Sequence, residues 1–167
     1  MLFRSIVLYL GFWAVHPGGF VVAENERMSP PPMFPDYQGV TIPYNIAPLN
    51  FMIEGAEGLQ VTAYGDTDSL RISGKDKARF PIGKWKKLLL QQKGKSVQVR
   101  VTALMKGKWL EYPSFQWQVA AEAIDGYLSY RLIEPGYEVW NNLQLCERSL
   151  EDFSEKVIAD NKLTGGT

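Results

Sequence analysis

The sequence predicts an all-β fold, a β-sandwich with one short helix, and three features indicate it. Short apolar runs alternate with Gly, Pro, Asp and Asn throughout residues 39–119. The clearest run, residues 96–104, alternates valine and alanine with polar side chains at the period of a strand. Only residues 81–92 have helical periodicity. Roughly seven or eight strands at this spacing are typical of sandwiches such as immunoglobulin and fibronectin modules.

The expected strands follow one another between turns marked by polar residues. Asp66-Thr67-Asp68 and Gly74-Lys75-Asp76 predict turns, and Lys106-Gly107-Lys108 predicts a hairpin. The eight segments that favour strands are residues 39–43, 49–53, 59–64, 69–73, 78–80, 96–104, 109–112 and 115–119.

The single helix is predicted where Pro81 precedes an apolar stripe with helical spacing. The stripe consists of Ile82, Trp85, Leu88 and Leu89. The opposite face carries Lys84, Lys86, Lys87 and Gln91. Because the stripe already explains the helix, we expect these lysines to face solvent rather than an acidic partner.

The first 23 residues have the pattern of a signal peptide. Arg4 gives a positive end, residues 5–15 are apolar, and Val21-Val22-Ala23 fits a cleavage site. The alternative is an uncleaved anchor, but Pro17-Gly18-Gly19 interrupts the apolar run short of the ~20 residues that a spanning helix needs. We therefore expect an exported protein, periplasmic or associated with the outer membrane, with no transmembrane span after removal of the signal.

Composition argues against several functions. The chain has 18 basic and 18 acidic residues, which does not favour a nucleic-acid partner. Cleavage after Ala23 removes His16, the only histidine, and with it any histidine-based nucleophile or metal site.

Cys146 is the only cysteine and is interpreted as a small apolar residue of a strand, with a reactive thiol as the alternative. No catalytic residue and no enzymatic activity are predicted.

Four regions are expected along the chain. Residues 1–23 form the signal peptide, and the proline-rich residues 24–36 form an extended, solvated linker. Residues 37–123 form the sandwich module. Residues 124–167 are interpreted as a junction and the start of a further domain, because the tail is too short to close another sheet.

Candidate contact residues are aromatic. A sandwich that binds sugars presents several exposed rings, and Trp109, Tyr112, Trp140 and Tyr137 are the candidates for a ligand or interface. The alternative is that Trp85, Trp117 and Phe115 fill the core while the candidates lie at strand ends. Asp66 and Asp68 have the spacing of calcium ligands, but no further oxygen ligands are evident, so no metal site is predicted.

Four segments resemble a known family. They are residues 37–51 (YQGVTIPYNIAPLNF), 78–86 (ARFPIGKWK), 124–138 (IDGYLSYRLIEPGYE) and 145–164. They resemble the amino-terminal region of bacterial cell-envelope proteins with a TolB-like, WD-type β-propeller, often labelled cytochrome c biogenesis proteins.

The resemblance implies an accessory module without catalytic residues. In that family, the segment matching Leu163-Thr164-Gly165 precedes a Cys-x-x-Cys-His motif for c-type haem and then the propeller. This sequence has no such motif, so no residue here is expected to bind haem. The leading hypothesis is a non-catalytic module that positions or docks a larger envelope protein, with its propeller or another envelope protein as partner. The alternative is a carbohydrate-binding module whose partner is a glycan.

Overall fold

The computed structural model describes residues 29–132 and 144–160. Within these residues, strands predominate and one α-helix is present. In chain order the elements are β1 (Met33–Phe34), β2 (Thr41–Pro43), β3 (Phe51–Ile53), β4 (Gly58–Tyr64), β5 (Ser69–Gly74), β6 (Lys77–Ala78), α1 (Ile82–Gln91), β7 (Ser96–Met105), β8 (Lys108–Glu111), β9 (Phe115–Ala120), β10 (Tyr127–Leu132), β11 (Gln144–Ser149) and β12 (Glu155–Asp160).

The largest sheet has six strands and is built around β7. Its order is β2-β9-β7-β4-β5, and β8 also pairs with β7. β9 pairs with residues 96–99 of β7 and β8 with residues 102–105, so the two share one edge of β7. The pairing of β2 with β9 is parallel, whereas β7 runs antiparallel to each of its neighbours. The long alternating strand predicted from the valine pattern is therefore the centre of the fold.

A second layer covers the inner face of this sheet. It consists of the three-stranded sheet β1-β3-β6 and of α1. Ile53 from β3 and Trp85 from α1 pack in one cluster with Val99 from β7, and all three are fully buried. The prediction of an all-β sandwich with one short helix is confirmed.

The interior is organised by aromatic rings from both layers. The ring centroids of Trp85 and Trp117 lie 5.4 Å apart in an edge-to-face arrangement, and Phe80 lies 5.1 Å from Trp85. Both tryptophans satisfy their buried N–H groups, because Trp85 donates to the carbonyl of Ile46 and Trp117 to that of Tyr37. The core role expected for these two tryptophans is confirmed.

The helix follows the predicted stripe with one exception. Trp85, Leu88 and Leu89 are buried, but Ile82 in the first turn is 40% exposed. Pro81 occupies the N-cap position in extended conformation. The buried part of the stripe therefore begins at Trp85, in the fourth position of α1.

The proline-rich segment overlaps the sandwich. Residues 33 and 34, within the predicted linker, form β1 and pair with β3, and Met33 is buried. β1 is an edge strand, where prolines are tolerated because fewer backbone N–H groups have to be paired. Ordered packing therefore begins before residue 37.

The tail forms a sheet of its own. β10, β11 and β12 pair in that order as antiparallel strands. The expectation that this tail has too little material for a further sheet is wrong, because residues 144–160 contribute β11 and β12, which form a three-stranded sheet with β10. Cys146 is buried in β11, as expected for a small apolar strand residue.

Candidate interaction surface

The sheet β10–β12, which we call the docking sheet, is attached to the sandwich at one end. The backbone N–H of Ala47 donates to the carbonyl of Leu150 at 2.7 Å, just beyond β11. The other attachments come from Asn45 and Lys86. The opposite end of the docking sheet is where Leu132 and Asp160 both pair with Gln144.

Asn45 joins the sandwich to two separate segments of the tail. Its Oδ1 accepts the backbone N–H of Ile124 at 3.0 Å, and its Nδ2 donates to the carbonyl of Ile124 at 2.9 Å. The same Nδ2 donates to Oε1 of Glu151 at 3.0 Å. We call Asn45, Lys86, Ile124 and Glu151 the junction.

Lys86 completes the junction from the helix. Its Nζ donates to Oε2 of Glu151 at 3.0 Å, so both carboxylate oxygens of Glu151 are bound by sandwich residues. The hydrogen bond from Asn45 and then that from Lys86 lower the pKa of Glu151 below its usual value. The charged carboxylate is therefore the form that holds the docking sheet.

The turn between β11 and β12 is held by local hydrogen bonds. The hydroxyl and the backbone N–H of Ser154 donate to Oδ1 of Asp152 at 2.7 and 3.0 Å. These bonds lower the pKa of Asp152 to about 2. Phe153 between them adopts a φ of 67°, which is uncommon for a residue with a side chain.

Exposed large apolar side chains concentrate on the docking sheet. Among the described residues ten such side chains are exposed, and seven belong to the docking sheet or its turn, which shows how unevenly they are distributed. Three are more than half exposed, namely Tyr127 at 63%, Leu128 at 52% and Val157 at 51%. The other four are Leu132, Leu145, Phe153 and Ile158. This concentration of exposed apolar side chains on one small sheet marks the sheet as a candidate interaction surface.

Both faces of the docking sheet contribute to this surface. Strand register puts Leu128, Leu132 and Val157 on one face, whereas Tyr127 and Leu145 lie on the other. A sheet with apolar side chains on both faces therefore offers two surfaces against which another element can pack.

The first face also contains a polar pair. The hydroxyl of Tyr130 hydrogen-bonds the side chain of Glu155, which raises the pKa of Tyr130 to about 12. Tyr130 lies opposite Cys146 in the register, and the thiol is buried. Cys146 is thus inaccessible to a reagent in this arrangement, which disfavours the reactive-thiol alternative.

The outer strands of the docking sheet have open edges. Its order is β10-β11-β12, and among the described strands neither β10 nor β12 pairs on its second side. Open edges with apolar side chains are sites at which another strand can add.

The structure separates two of the aromatic residues predicted as contacts. Trp109 is opposite Leu104 and lies on the solvent side of the six-stranded sheet, half-buried. Tyr112 packs against the core on the other side. The two rings therefore do not share a surface. Trp140 and Tyr137 lie outside the described residues.

The carboxylates considered for calcium are paired with lysines. Asp66 binds Lys95 at 2.6 Å, and Asp68 binds Lys87 at 3.0 Å, which lowers the pKa of Asp68. Over residues 29–132 and 144–160 there is no cluster of three metal-ligating side chains.

The sequence does not indicate that Asn45, Lys86 and Glu151 meet. Neither Asn45 nor Glu151 belongs to a recognisable motif. Their hydrogen bond spans 106 positions of the chain, so no local pattern could reveal it.

Comparison with known proteins gives no assignment. No family model, curated protein or solved structure matches the chain. In the part of the chain that the structure describes, no helix has the length and apolarity to cross a membrane.

Proposed function

We propose that this chain is a non-catalytic, exported module that docks or positions a larger cell-envelope protein through the docking sheet. The observation that carries the proposal is the concentration of exposed apolar side chains on a sheet that is open at both edges. Burial of such side chains against a partner is the main source of affinity in stable interfaces.

The junction supports this role because it fixes the docking sheet relative to the sandwich. A surface whose orientation is preset loses less conformational entropy when it binds. The two junction hydrogen bonds that Glu151 accepts are charge-assisted, and such bonds are stronger than those between neutral groups.

The partner that we propose is a protein of the cell envelope. The resemblance of residues 124–138 and 145–164 to propeller-bearing proteins suggests a propeller domain, attached to this chain or on another one. The signal-like residues 1–23 suggest a periplasmic or outer-membrane location. The proposal needs no cofactor and no catalytic residue in this chain.

Site-specific photo-cross-linking tests the proposal. A photoreactive phenylalanine derivative introduced at Leu128 is expected to capture one predominant envelope protein in intact cells. The matched control is Leu90 on α1, an apolar side chain that is 61% exposed and is not part of the docking sheet. Equal cross-linking at both positions, or none at Leu128, contradicts the docking role.

Cell fractionation tests the location separately. We expect the chain in the periplasmic or outer-membrane fraction, shortened by 23 residues at its amino terminus. Recovery of the full-length chain from the cytoplasm would contradict export.

A further inference from the structure

The solvent side of the six-stranded sheet carries a set of neutral amides that the docking role does not use. Val97, Val99 and Val101 of β7 point inward, so the alternate residues of β7 and their cross-strand neighbours point to solvent. Four exposed glutamines lie on this outer face, namely Gln60, Gln98, Gln116 and Gln118. Each amide both donates and accepts hydrogen bonds, as a sugar hydroxyl does.

The charge of the outer face points to a neutral ligand. Its charged side chains in β5, β7 and β8 are Arg71, Arg100 and Glu111. A nucleic acid or an anionic membrane needs a strongly positive surface, which this set does not supply. The outer face also lacks the cluster of exposed apolar side chains that distinguishes the docking sheet.

Trp109 provides an apolar ring at one end of the outer face. The benzo part of its indole lies over Gly58, because a Cβ built on Gly58 would come within 3.1 Å of Cη2. Only a glycine leaves room for this close approach. The ring is held against the sheet and remains half-buried, so it can stack against the apolar face of a sugar ring.

Arg100 is held in position between Trp109 and Tyr64. Its guanidinium lies 5.6 Å from the ring centroid of Tyr64, and its Nε is 3.6 Å from Oε1 of Glu111. On β7, Leu104 pairs with Trp109 and Gln98 pairs with Tyr64. The strand from Leu104 to Gln98 is roughly 20 Å long. That distance accommodates several sugar units along the strand.

We propose that the outer face binds a neutral oligosaccharide chain laid along β7. One sugar ring stacks on Trp109, and Arg100, Gln98 and Gln60 bind the hydroxyls of the units that follow. Of the aromatic candidates predicted from the sequence, this site retains Trp109 and excludes Tyr112, which lies on the inner side. It is independent of the docking sheet, because the two surfaces share no residue.

Affinity electrophoresis of the full chain tests the proposal. Native gels contain one soluble neutral polysaccharide each, namely β-glucan, xylan or galactomannan, and the anionic dextran sulfate serves as a comparison. At least one neutral polysaccharide is expected to retard the protein. Trp109→Ala is expected to lower that affinity about tenfold, since it removes the stacking surface.

Further variants keep the test independent of folding defects. Gln98→Ala alters one exposed side chain and is expected to lower the affinity several-fold, whereas Leu90→Ala on α1 and Val157→Lys on the docking sheet should leave it unchanged. Circular dichroism checks that each variant is folded. Absence of retardation by every neutral polysaccharide, retardation by dextran sulfate only, or full affinity in folded Trp109→Ala or Gln98→Ala would overturn the proposal.

Discussion

Asn45 makes three of the side-chain hydrogen bonds that join the sandwich to the tail. Its one amide group satisfies the backbone N–H and carbonyl of Ile124 and also binds Glu151. Residue 124 precedes β10, whereas residue 151 lies in the turn between β11 and β12, so a single side chain contacts two separate segments of the tail. The same asparagine lies in a stretch that looks like an ordinary turn when only the sequence is considered.

Asn45→Ala is expected to loosen the docking sheet without unfolding the sandwich. Loss of the amide leaves the backbone groups of Ile124 unpaired at a cost of about 1–3 kcal/mol. Hydrogen exchange measured by mass spectrometry should accelerate in β10–β12, while β7 keeps its protection. Gln116→Ala, on the outer face, is the control. Acceleration in β7 equal to that in β12 would show that the junction is not a local attachment.

Asp152 should make the turn between β11 and β12 sensitive to acid. Its folded pKa of about 2 lies below the ordinary value of 3.8, so its contribution to stability is fully present above pH 3.8. That contribution is lost as the pH falls from 3.8 to about 2.

Chemical shifts of the Ser154 amide, recorded by NMR during an acid titration, measure this directly. The shift should follow a midpoint near the folded pKa of Asp152, about 2. Asp152→Asn should abolish this titration. A midpoint at 3.8 in the wild-type chain would show that the hydrogen bonds from Ser154 do not form in solution.

At the scale of elements, α1 connects the core to the junction. Trp85 on its inner side packs against Trp117 of β9, and Lys86, the next residue, binds Glu151. The hydrophobic period of residues 81–92 could predict the helix, because it depends on neighbours three and four positions apart. The role of Lys86 could not be predicted, because a lysine on a polar face is most often solvated.

Trp85→Ala is expected to destabilise the chain by about 3–5 kcal/mol, because it opens a cavity between the two layers. It also removes the donor to the carbonyl of Ile46. Urea denaturation measures the change, with Leu90→Ala on the same helix expected within about 0.5 kcal/mol of the wild type. A loss of under about 1 kcal/mol for Trp85→Ala would contradict the central position of this ring.

The bounds of β7 could be predicted from the sequence, whereas the faces on which the aromatic residues of the β8 hairpin lie could not. The alternation of residues 96–104 predicted β7 to within one residue of its end, since burial on one face imposes a period of two. The outer position of Trp109 and the inner position of Tyr112 follow from cross-strand register, which the hairpin sequence did not reveal. Counting aromatic residues therefore could not identify a shared binding surface.

For the whole molecule, the main feature is the contrast between a closed sandwich and an open docking sheet. The sandwich buries its apolar side chains between two layers, whereas the docking sheet exposes them on both faces. This contrast could not be predicted from the sequence pattern, because Leu128, Tyr130 and Leu132 of β10 alternate with other residues as the apolar residues of buried strands do. What differs is the presence of a second layer, which only the tertiary structure determines.

The isolated chain is expected to self-associate through the docking sheet as its concentration rises. Val157→Lys puts a charge on the apolar face next to an open edge and should restore a monomer. Sedimentation velocity over a hundredfold range of concentration measures the effect. Because Val157 is 51% exposed, the melting temperature should hardly change. A wild-type chain that stays monomeric throughout that range would contradict this prediction.

Under the proposed docking role, the separation of 106 positions between Asn45 and Glu151 links the orientation of the docking sheet to the folding of the sandwich. The docking sheet acquires its fixed orientation only after the sandwich has closed and has brought Asn45 and Lys86 to the same end of the molecule. A copy with an unfolded sandwich presents a docking sheet that has no support. A partner that requires the fixed orientation would thus select correctly folded copies, and the junction would act as a checkpoint in assembly.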